Sequence, residues 1–473
     1  MSKRRERSGC ERWAEEEFGS AKLGNELRTE RAVSMAAGAL RRPAGLITEV
    51  FDESADREGA YRFAENESVS PKELVAAACR ASAKRARELP FVFVPVDGSS
   101  LSLREYEGDA ERGVGPVGTQ IAKGTGVLMM NAVVIDPLGT PLGLFGQEWW
   151  TRPAQKRSRE RKDRGKRPLS DKETRFWLAT MNQGIGAWEQ ANPSTRLWFQ
   201  EDRGGDFREM LEWICQSKHW VTVRACFDRR LAAEKSYLWR EMATLPVAAR
   251  VSVDVPKTKK HAARRAQLTL RYAPVTLQLQ HSWLKTKKKA SLWALLVREE
   301  TSPADGAEAI EWMLLTNRPI ESRADAELVL FGYTQRWRIE QFHKVLKSVC
   351  KVEQTQLRDL EHIERWATVL CAVAMRILRL TYLARTSPNT PASEELAGAE
   401  IAALIIKKGK KTHQLGDDVS IELAVRWIAE LGGYTGRTSS GGPPGSIVLA
   451  RGLRRLEEVA AAVLDIVDFT RKS

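Results

Sequence analysis

Phe91-Val92-Phe93-Val94-Pro95-Val96-Asp97 is a short apolar run, rich in β-branched and aromatic residues, that stops at a carboxylate. That composition reads as a buried strand. Upstream, Ser70-Pro71 supplies an N-cap and first-turn pair for a helix over Lys72 to Glu88. Downstream, Gly126 to Asp136 and Pro141 to Trp150 read as two further strands, joined at the turn signal Asp136-Pro137-Leu138-Gly139. A helical segment, Lys172 to Gln190, leads to Arg196-Leu197-Trp198-Phe199-Gln200-Glu201-Asp202, a fourth strand closed by carboxylates. Phe207 to Gln216 has the pattern of an amphipathic helix and His219 to Ala225 that of a fifth strand.

Three strands, a helix, a strand, a helix and a strand, with acids at the ends of the first and fourth strands, is the order of a ribonuclease-H-like α/β domain. Between about 227 and 319 the pattern changes to short alternating strands: Ala248 to Val255, Ala266 to Tyr272, Val275 to His281 and Leu292 to Val297. These read as an antiparallel β insertion, after which the α/β unit resumes with one or two long helices over Ser322 to Leu357 and another over Ile363 to Arg385. The N-terminal stretch Glu11 to Arg42 is helical in pattern, and the chain closes with an apolar-striped helix, Leu453 to Phe469. The expected organisation is a helical domain over 1–70, an α/β domain over 71–375 carrying the insertion, and a helical region over 376–473.

At 473 residues, two or three folding units are expected, and 42% hydrophobic residues can build a sizeable core. No uninterrupted apolar stretch approaches the ~18–20 residues that span a bilayer, and Met1 to Ser20 is charged, without the apolar segment of a secretion signal. Six scattered cysteines, Cys10, Cys79, Cys215, Cys226, Cys350 and Cys371, form no C-x-x-C pair. They read as reduced thiols of a cytoplasmic protein and argue against a disulfide framework or zinc site. The net charge of +14 points to a polyanionic partner. Its excess is local: nine Lys/Arg against two acids from Arg152 to Arg167, then the runs Lys257 to Lys260, Lys285 to Lys289 and Lys407 to Lys411. Four basic runs favour phosphate contact over a merely solvated face. The first 70 residues, with 12 Lys/Arg and 14 acids, show no such excess.

The segment Tyr333-Thr334-Gln335-Arg336-Trp337-Arg338-Ile339-Glu340-Gln341-Phe342-His343-Lys344-Val345-Leu346-Lys347 carries the most chemistry. At ~100° per residue, Tyr333, Arg336, Trp337, Glu340, Lys344 and Lys347 share one arc, and Ile339, Phe342, Val345, Leu346 and Val349 the opposite one. Spacing alone favours an amphipathic surface helix laced with ion pairs. Asp97, Asp202 and Glu340 together say more. Three converging carboxylates repel and are tolerated mainly when divalent cations neutralise them. Hard oxygen donors suit Mg²⁺, with Mn²⁺ as a substitute. A two-metal site can activate a water or a 3′-hydroxyl for in-line phosphoryl transfer.

Tyr333, Arg336, Glu340 and Lys347 reproduce the Tyr-x2-Arg-x3-Glu-x6-Lys signature of the insertion-sequence-four group of DDE transposases, which the chain resembles over most of its length. Further points of likeness are Trp13-Ala14, Phe18 to Ala21 and Leu23-Gly24, Gly59 to Phe63, Asp97 with Ser100 to Ser102, Asp202-Arg203 with Asp206, and Trp312 with Leu314 to Thr316. The resemblance implies a cut-and-paste enzyme in which Asp97, Asp202 and Glu340 bind two Mg²⁺ ions. It implies phosphate contacts from Tyr333, Arg336 and Lys347, a flipped base stacked on Trp337, and Trp312 probing the vacated stack. Arg224 and Lys344 are further candidates. The N-terminal unit would read the inverted-repeat ends of double-stranded DNA through Arg62, backed by Arg41 and Arg42, and the C-terminal helix would dimerise two chains on the DNA. A bacterial, cytoplasmic and nucleoid-associated protein with no membrane partner is the corresponding expectation. A ribonuclease-H-like structure-specific nuclease would share the three acids but would not need Trp312, Trp337 or an end reader.

Overall fold

Strand β1 (Phe91–Leu103) lies inside a sheet whose neighbours explain its sequence. In the computed structural model, which describes residues 7–103, 113–118, 123–153, 167–232, 236–255, 262–280, 287–301, 303, 306, 308–409, 412–436 and 443–472, it is flanked on both sides. Among the described residues five helices precede it, the first four being α1 (Gly9–Phe18), α2 (Glu26–Arg41), α3 (Ile47–Val50) and α4 (Ser54–Glu65). The single helical stretch expected over Glu11 to Arg42 is therefore two helices, because Asn25 caps a new start by accepting from Arg28 N–H. Helix α5 (Pro71–Arg85) begins at the expected Ser70-Pro71 pair.

On one side β1 pairs antiparallel with β3 (Lys123–Ile135), whose far edge carries β2 (Gly115–Gly118) and β4 (Pro141–Trp150). On the other side β1 runs parallel to β5 (Arg196–Glu201), and β5 to β6 (Trp220–Arg224). Pairing of β1 with β3 lapses between Phe93 and Val96, where Pro95 has no N–H to give. Helices α6 (Arg175–Ala191) and α7 (Arg208–Gln216) supply the crossovers, and α8 (Leu238–Thr244) follows β6.

The strands read as an antiparallel insertion extend this same sheet. β7 (Ala249–Val255), β8 (Arg264–Gln280), β9 (Lys287–Glu299) and β10 (Glu311–Thr316) pair antiparallel in sequence, and β10 pairs with β6. The order is β2-β3-β1-β5-β6-β10-β9-β8-β7, with β4 on β3. Ala266 to Tyr272 and Val275 to His281, expected as two strands, are one strand as far as Gln280. Pro274 is accommodated there because β7 pairs only as far as Leu270, leaving that edge outside its ladder.

Alternation along the strands sorts the core into two layers. Val92, Val94, Val96, Leu197 and Phe199 face α6 and α7, while Phe93, Leu101 and Trp198 face the helices that follow β10. Those are α9 (Arg323–Gln335), α10 (Trp337–Ser348) and α11 (Leu360–Thr386). The N-terminal helices share this second core, so the described residues of the 1–70 stretch have no separate hydrophobic centre. The boundary expected at 375 falls inside α11. That helix is long and apolar enough to cross a membrane, but its most apolar window is 78% buried inside the protein.

A third core gathers α11's end with α12 (Gly398–Leu404), α13 (Ile421–Leu431) and α14 (Ser446–Lys472). Leu449, Leu456, Ala460 and Leu464 of α14 are buried against their own chain, so much of the stripe expected to join two chains packs internally. A Cβ at Gly452 would sit 1.8 Å from the Ile428 carbonyl oxygen, so this close crossing of α14 over α13 requires glycine. The run from Arg152 to Arg167 and the Lys257 to Lys260 run lie largely or wholly outside the described residues, as do parts of the two later runs.

Candidate active site

The parallel register brings two acids to one edge of the sheet. Val96 pairs with Glu201, so Asp97 and Asp202, the next residue on each strand, leave the paired region together. Asp97 does not end its strand as expected: β1 continues to Leu103 against β3, with Asp97 opposite Asn131. Asp202 caps the short turn Arg203–Gly205, its Oδ1 accepting from Gly204 N–H at 2.6 Å. The third acid arrives on α10. Helix α9 ends and α10 begins at Arg336, whose backbone stays helical while its guanidinium turns to the sheet. There it donates to Asp97 Oδ2 at 3.0 Å and to Glu340 Oε1 at 2.5 Å, bridging the two carboxylates. The Arg336 side chain is 13% exposed, that of Asp97 20% and that of Glu340 33%.

Burial, then the neighbouring Asp202 charge, pushes the Asp97 carboxyl up to about 6, against the opposing pull of Arg336. Burial lowers the pKa of Arg336, but Asp97 and Glu340 outweigh it and hold the guanidinium charged. Glu201, fully buried beside Asp202, is raised well above the ordinary carboxylate range by burial. Neither of its oxygens has a hydrogen-bond partner among the described residues.

Mutual repulsion of Asp97 and Asp202 is the charge pattern a divalent cation relieves, and hard carboxylate oxygens match Mg²⁺ or Mn²⁺. Among the described residues no three carboxylate, imidazole or thiolate groups close on a common point. Arg336 occupies that role between Asp97 and Glu340. The donor types fit a divalent metal: Asp97 and Asp202 would hold it, and Glu340 would join them only if released from Arg336.

Tyr333 is 5% exposed rather than turned outward on the Glu340 arc, because it belongs to α9 and packs edge-on to Trp312, with ring centroids 5.2 Å apart. Arg224, the last residue of β6, lies 5.9 Å from the Trp312 ring centroid and donates to Glu311 O at 3.2 Å. Burial lowers its pKa. Trp337 is 50% exposed and Lys344 is exposed. Lys347 turns to β1, donating to Ser100 O at 2.6 Å, and pairs with Glu353 at 3.5 Å. Ile339, Phe342, Val345 and Leu346 are buried, and Val349 is half-buried.

Each of the three arginines expected to read the DNA end has an acidic partner. Arg62 pairs with Glu58 yet remains exposed, and Arg42 pairs with Asp52. Arg41 is pinned between Glu11 at 3.0 Å and Glu457 of α14 at 3.3 Å, so it is the least free of the three.

Two supports of the site have no signal in residue spacing, although Asp206 stands within the family likeness. Asn131, opposite Asp97, receives the Gln147 side-chain amide at 2.6 Å and lies 3.1 Å from His343 Nε2, one turn beyond Glu340. Burial pushes His343 down to about 3 and keeps it neutral. Asp206, within the likeness at Asp202-Arg203, accepts from Cys226 N–H and Phe227 N–H at 2.6 and 3.1 Å and pairs with Arg229. It ties the loop after β5 to the end of β6. These partners come from segments far apart in the chain, so only the fold makes them neighbours.

Residues 10–69 match the family model of transposase DNA-binding domains, which spans α1 to α4. Residues 144–376 match that of the transposase DDE domain, a range holding Asp202, Arg336 and Glu340 and beginning beyond Asp97. With a transposase DNA-binding domain followed by a DDE domain, the chain is a DDE transposase, a metal-dependent enzyme acting on DNA.

Proposed function

We propose that this transposase works by cut-and-paste on a ribonuclease-H-like core, as a member of the insertion-sequence-four group similar to the transposase of the bacterial transposon numbered five. The observation that carries the reading is the Arg336 guanidinium joining Asp97 to Glu340 beside Asp202. The order of β4-β3-β1 antiparallel and β1-β5-β6 parallel supports the core assignment.

Asp97, Asp202 and Glu340 would hold two Mg²⁺ ions, which supply the charge that lowers the pKa of the attacking hydroxyl and steadies the leaving oxygen. Asp97 does so only as the carboxylate, and Arg336 favours that form. A water oxygen attacks phosphorus at the transposon end and the bond from phosphorus to the 3′ oxygen breaks, freeing a 3′-hydroxyl. That hydroxyl attacks the phosphorus opposite it on the second strand and closes a hairpin, expelling the 3′ oxygen of the flanking DNA, which leaves with a proton as a 3′-hydroxyl. A second water attacks the hairpin phosphorus and releases the 3′-hydroxyl again, which then attacks a target phosphorus and displaces a 3′ oxygen of the target strand. Tyr333, Arg336, Lys347, Arg224 and Lys344 would contact phosphates. Half-exposed Trp337 would receive a flipped base, with Trp312 probing the stack it leaves. Arg62, Arg42 and Arg41 on the N-terminal helices would read the inverted repeat. Two chains would pair on the ends in the bacterial cytoplasm.

Purified protein incubated with Mg²⁺, a plasmid carrying two inverted-repeat ends and a target plasmid tests this directly. Joined products are expected, and Glu340→Ala is expected to abolish them. Cleavage without joining would instead make the enzyme a structure-specific nuclease.

A further inference from the structure

Helix α11 holds the N-terminal helices through two consecutive buried side chains. Arg365 is 1% exposed, and its fork donates to Ala64 O at 2.9 Å and Val69 O at 2.7 Å, with Glu361 Oε2 at 3.0 Å. Ala64 O is in the last turn of α4, where carbonyls lack partners inside the helix and a cation is favoured. Arg62 projects from that same turn. Trp366 donates its indole N–H to Gly45 O at 2.8 Å, in the connector between α2 and α3. On the connector's other side a Cβ at Gly45 would meet Lys351 O at 2.1 Å, so the chain passes through a slot only glycine fits.

From α11 the path continues to the acids. The Cys350 thiol, just past α10, lies 3.7 Å from Leu370 O of α11, and Phe342, Val345 and Leu346 of α10 share the buried core with Val369 and Leu370. One turn back on α10 stands Glu340. A series of buried contacts therefore runs from Ala64, in the turn that carries the exposed Arg62, through Arg365 and α11 to α10, the helix that carries Glu340. An end reader joined by a flexible linker would show neither the shared core nor buried guanidinium bonds to its backbone.

We propose that Arg365, with Trp366, is a positioning pair that sets where along the bound end the strand is cut. By fixing α4 against α10, it makes the distance from the bases read near Arg62 to the scissile phosphate a property of the fold. This rests on the reading above that α4 contacts the transposon end.

The test maps cut positions at single-nucleotide resolution on an end-labelled inverted repeat, using full-length protein. Arg365→Met and Trp366→Phe are compared with wild type, and end affinity is measured in parallel. Expected is end affinity within about threefold of wild type. The cut, single in wild type, should spread to neighbouring phosphodiester bonds in Arg365→Met, and more weakly in Trp366→Phe. Arg365→Lys, which keeps charge but not the fork, should fall between wild type and Arg365→Met. If Arg365→Met fails to fold, the same spread in Trp366→Phe and Arg365→Lys decides the matter. A single, unshifted cut in every folded variant would overturn the proposal. Unchanged end binding in Arg62→Ala would overturn the reader assignment instead, so the two failures are distinguishable.

Discussion

Asp97 carries opposing demands that can be measured separately. Its carboxyl sits at about 6 in the protein against 3.8 for the free side chain, so the folded state binds its proton more tightly than the unfolded state does. Stability from this group is complete below about pH 4 and is lost as pH rises through about 6. Without metal, Asp97→Asn should therefore raise stability at pH 8 by of the order of 1–3 kcal/mol and leave it nearly unchanged at pH 4. The same substitution should remove cleavage, beyond the ~10–100-fold that loss of an outer-shell partner costs. Thermal melts at both pH values decide it: no gain at pH 8 would mean that the carboxylate is not strained. Arg336→Gln takes away the charge that lowers Asp97, so the acid limb of activity at limiting Mg²⁺ should move to higher pH. A limb that stays in place would show that Arg336 does not govern the proton on Asp97.

At the scale of elements, buried ion pairs hold the segment that leads into the C-terminal helices against α11. Glu395, from the segment between α11 and α12, is 8% exposed and meets Arg379 at 2.5 Å and Arg376 as well. Burial alone would raise its carboxyl, but the two guanidiniums outweigh that and bring it to about 2. Glu395→Ala would strand two half-buried cations and should cost about 3–5 kcal/mol in denaturant unfolding. Stability from Glu395 is present above its ordinary pKa and is lost as pH falls toward about 2. A cost below about 1 kcal/mol would show the arginines finding water instead. The elements themselves were readable where the pattern was local. Ser70-Pro71 marked a helix start, and the apolar arc from Ile339 to Leu346 marked the buried side of α10. Where the pattern depends on partners, local sequence does not register it. Asp97 looked like a strand end because nothing nearby in sequence announces that β3 carries β1 onward to Leu103. Tyr333 looked outward because helix spacing cannot register the Trp312 ring of β10 packed against it.

At the scale of the molecule, the legible part of the site was its charged centre, since Asp97, Asp202 and Glu340 each stand beside a recognisable local pattern. The Asn131, His343 and Asp206 supports and the shared N-terminal core depend on long-range packing and left no trace in spacing. The charge distribution leads to the last prediction. The first 70 residues hold 12 Lys/Arg against 14 acids in a chain of net charge +14, and Arg41, Arg42 and Arg62 are all ion-paired. General affinity for DNA is then expected from elsewhere, above all from the nine Lys/Arg between Arg152 and Arg167. Each phosphate contact contributes about 0.9 to the slope of log affinity against log salt. Replacing Lys156, Arg157, Arg159, Arg161 and Lys162 with Gln should flatten that slope by several such steps, for end and random DNA alike. Arg62→Ala should lower affinity for the end while leaving the slope on random DNA unchanged. Binding isotherms on both duplexes from 50 to 300 mM salt separate the two effects. A slope unaltered by the five substitutions, or an Arg62→Ala protein that loses random and end binding equally, would mean that reading and holding DNA are not divided between these regions.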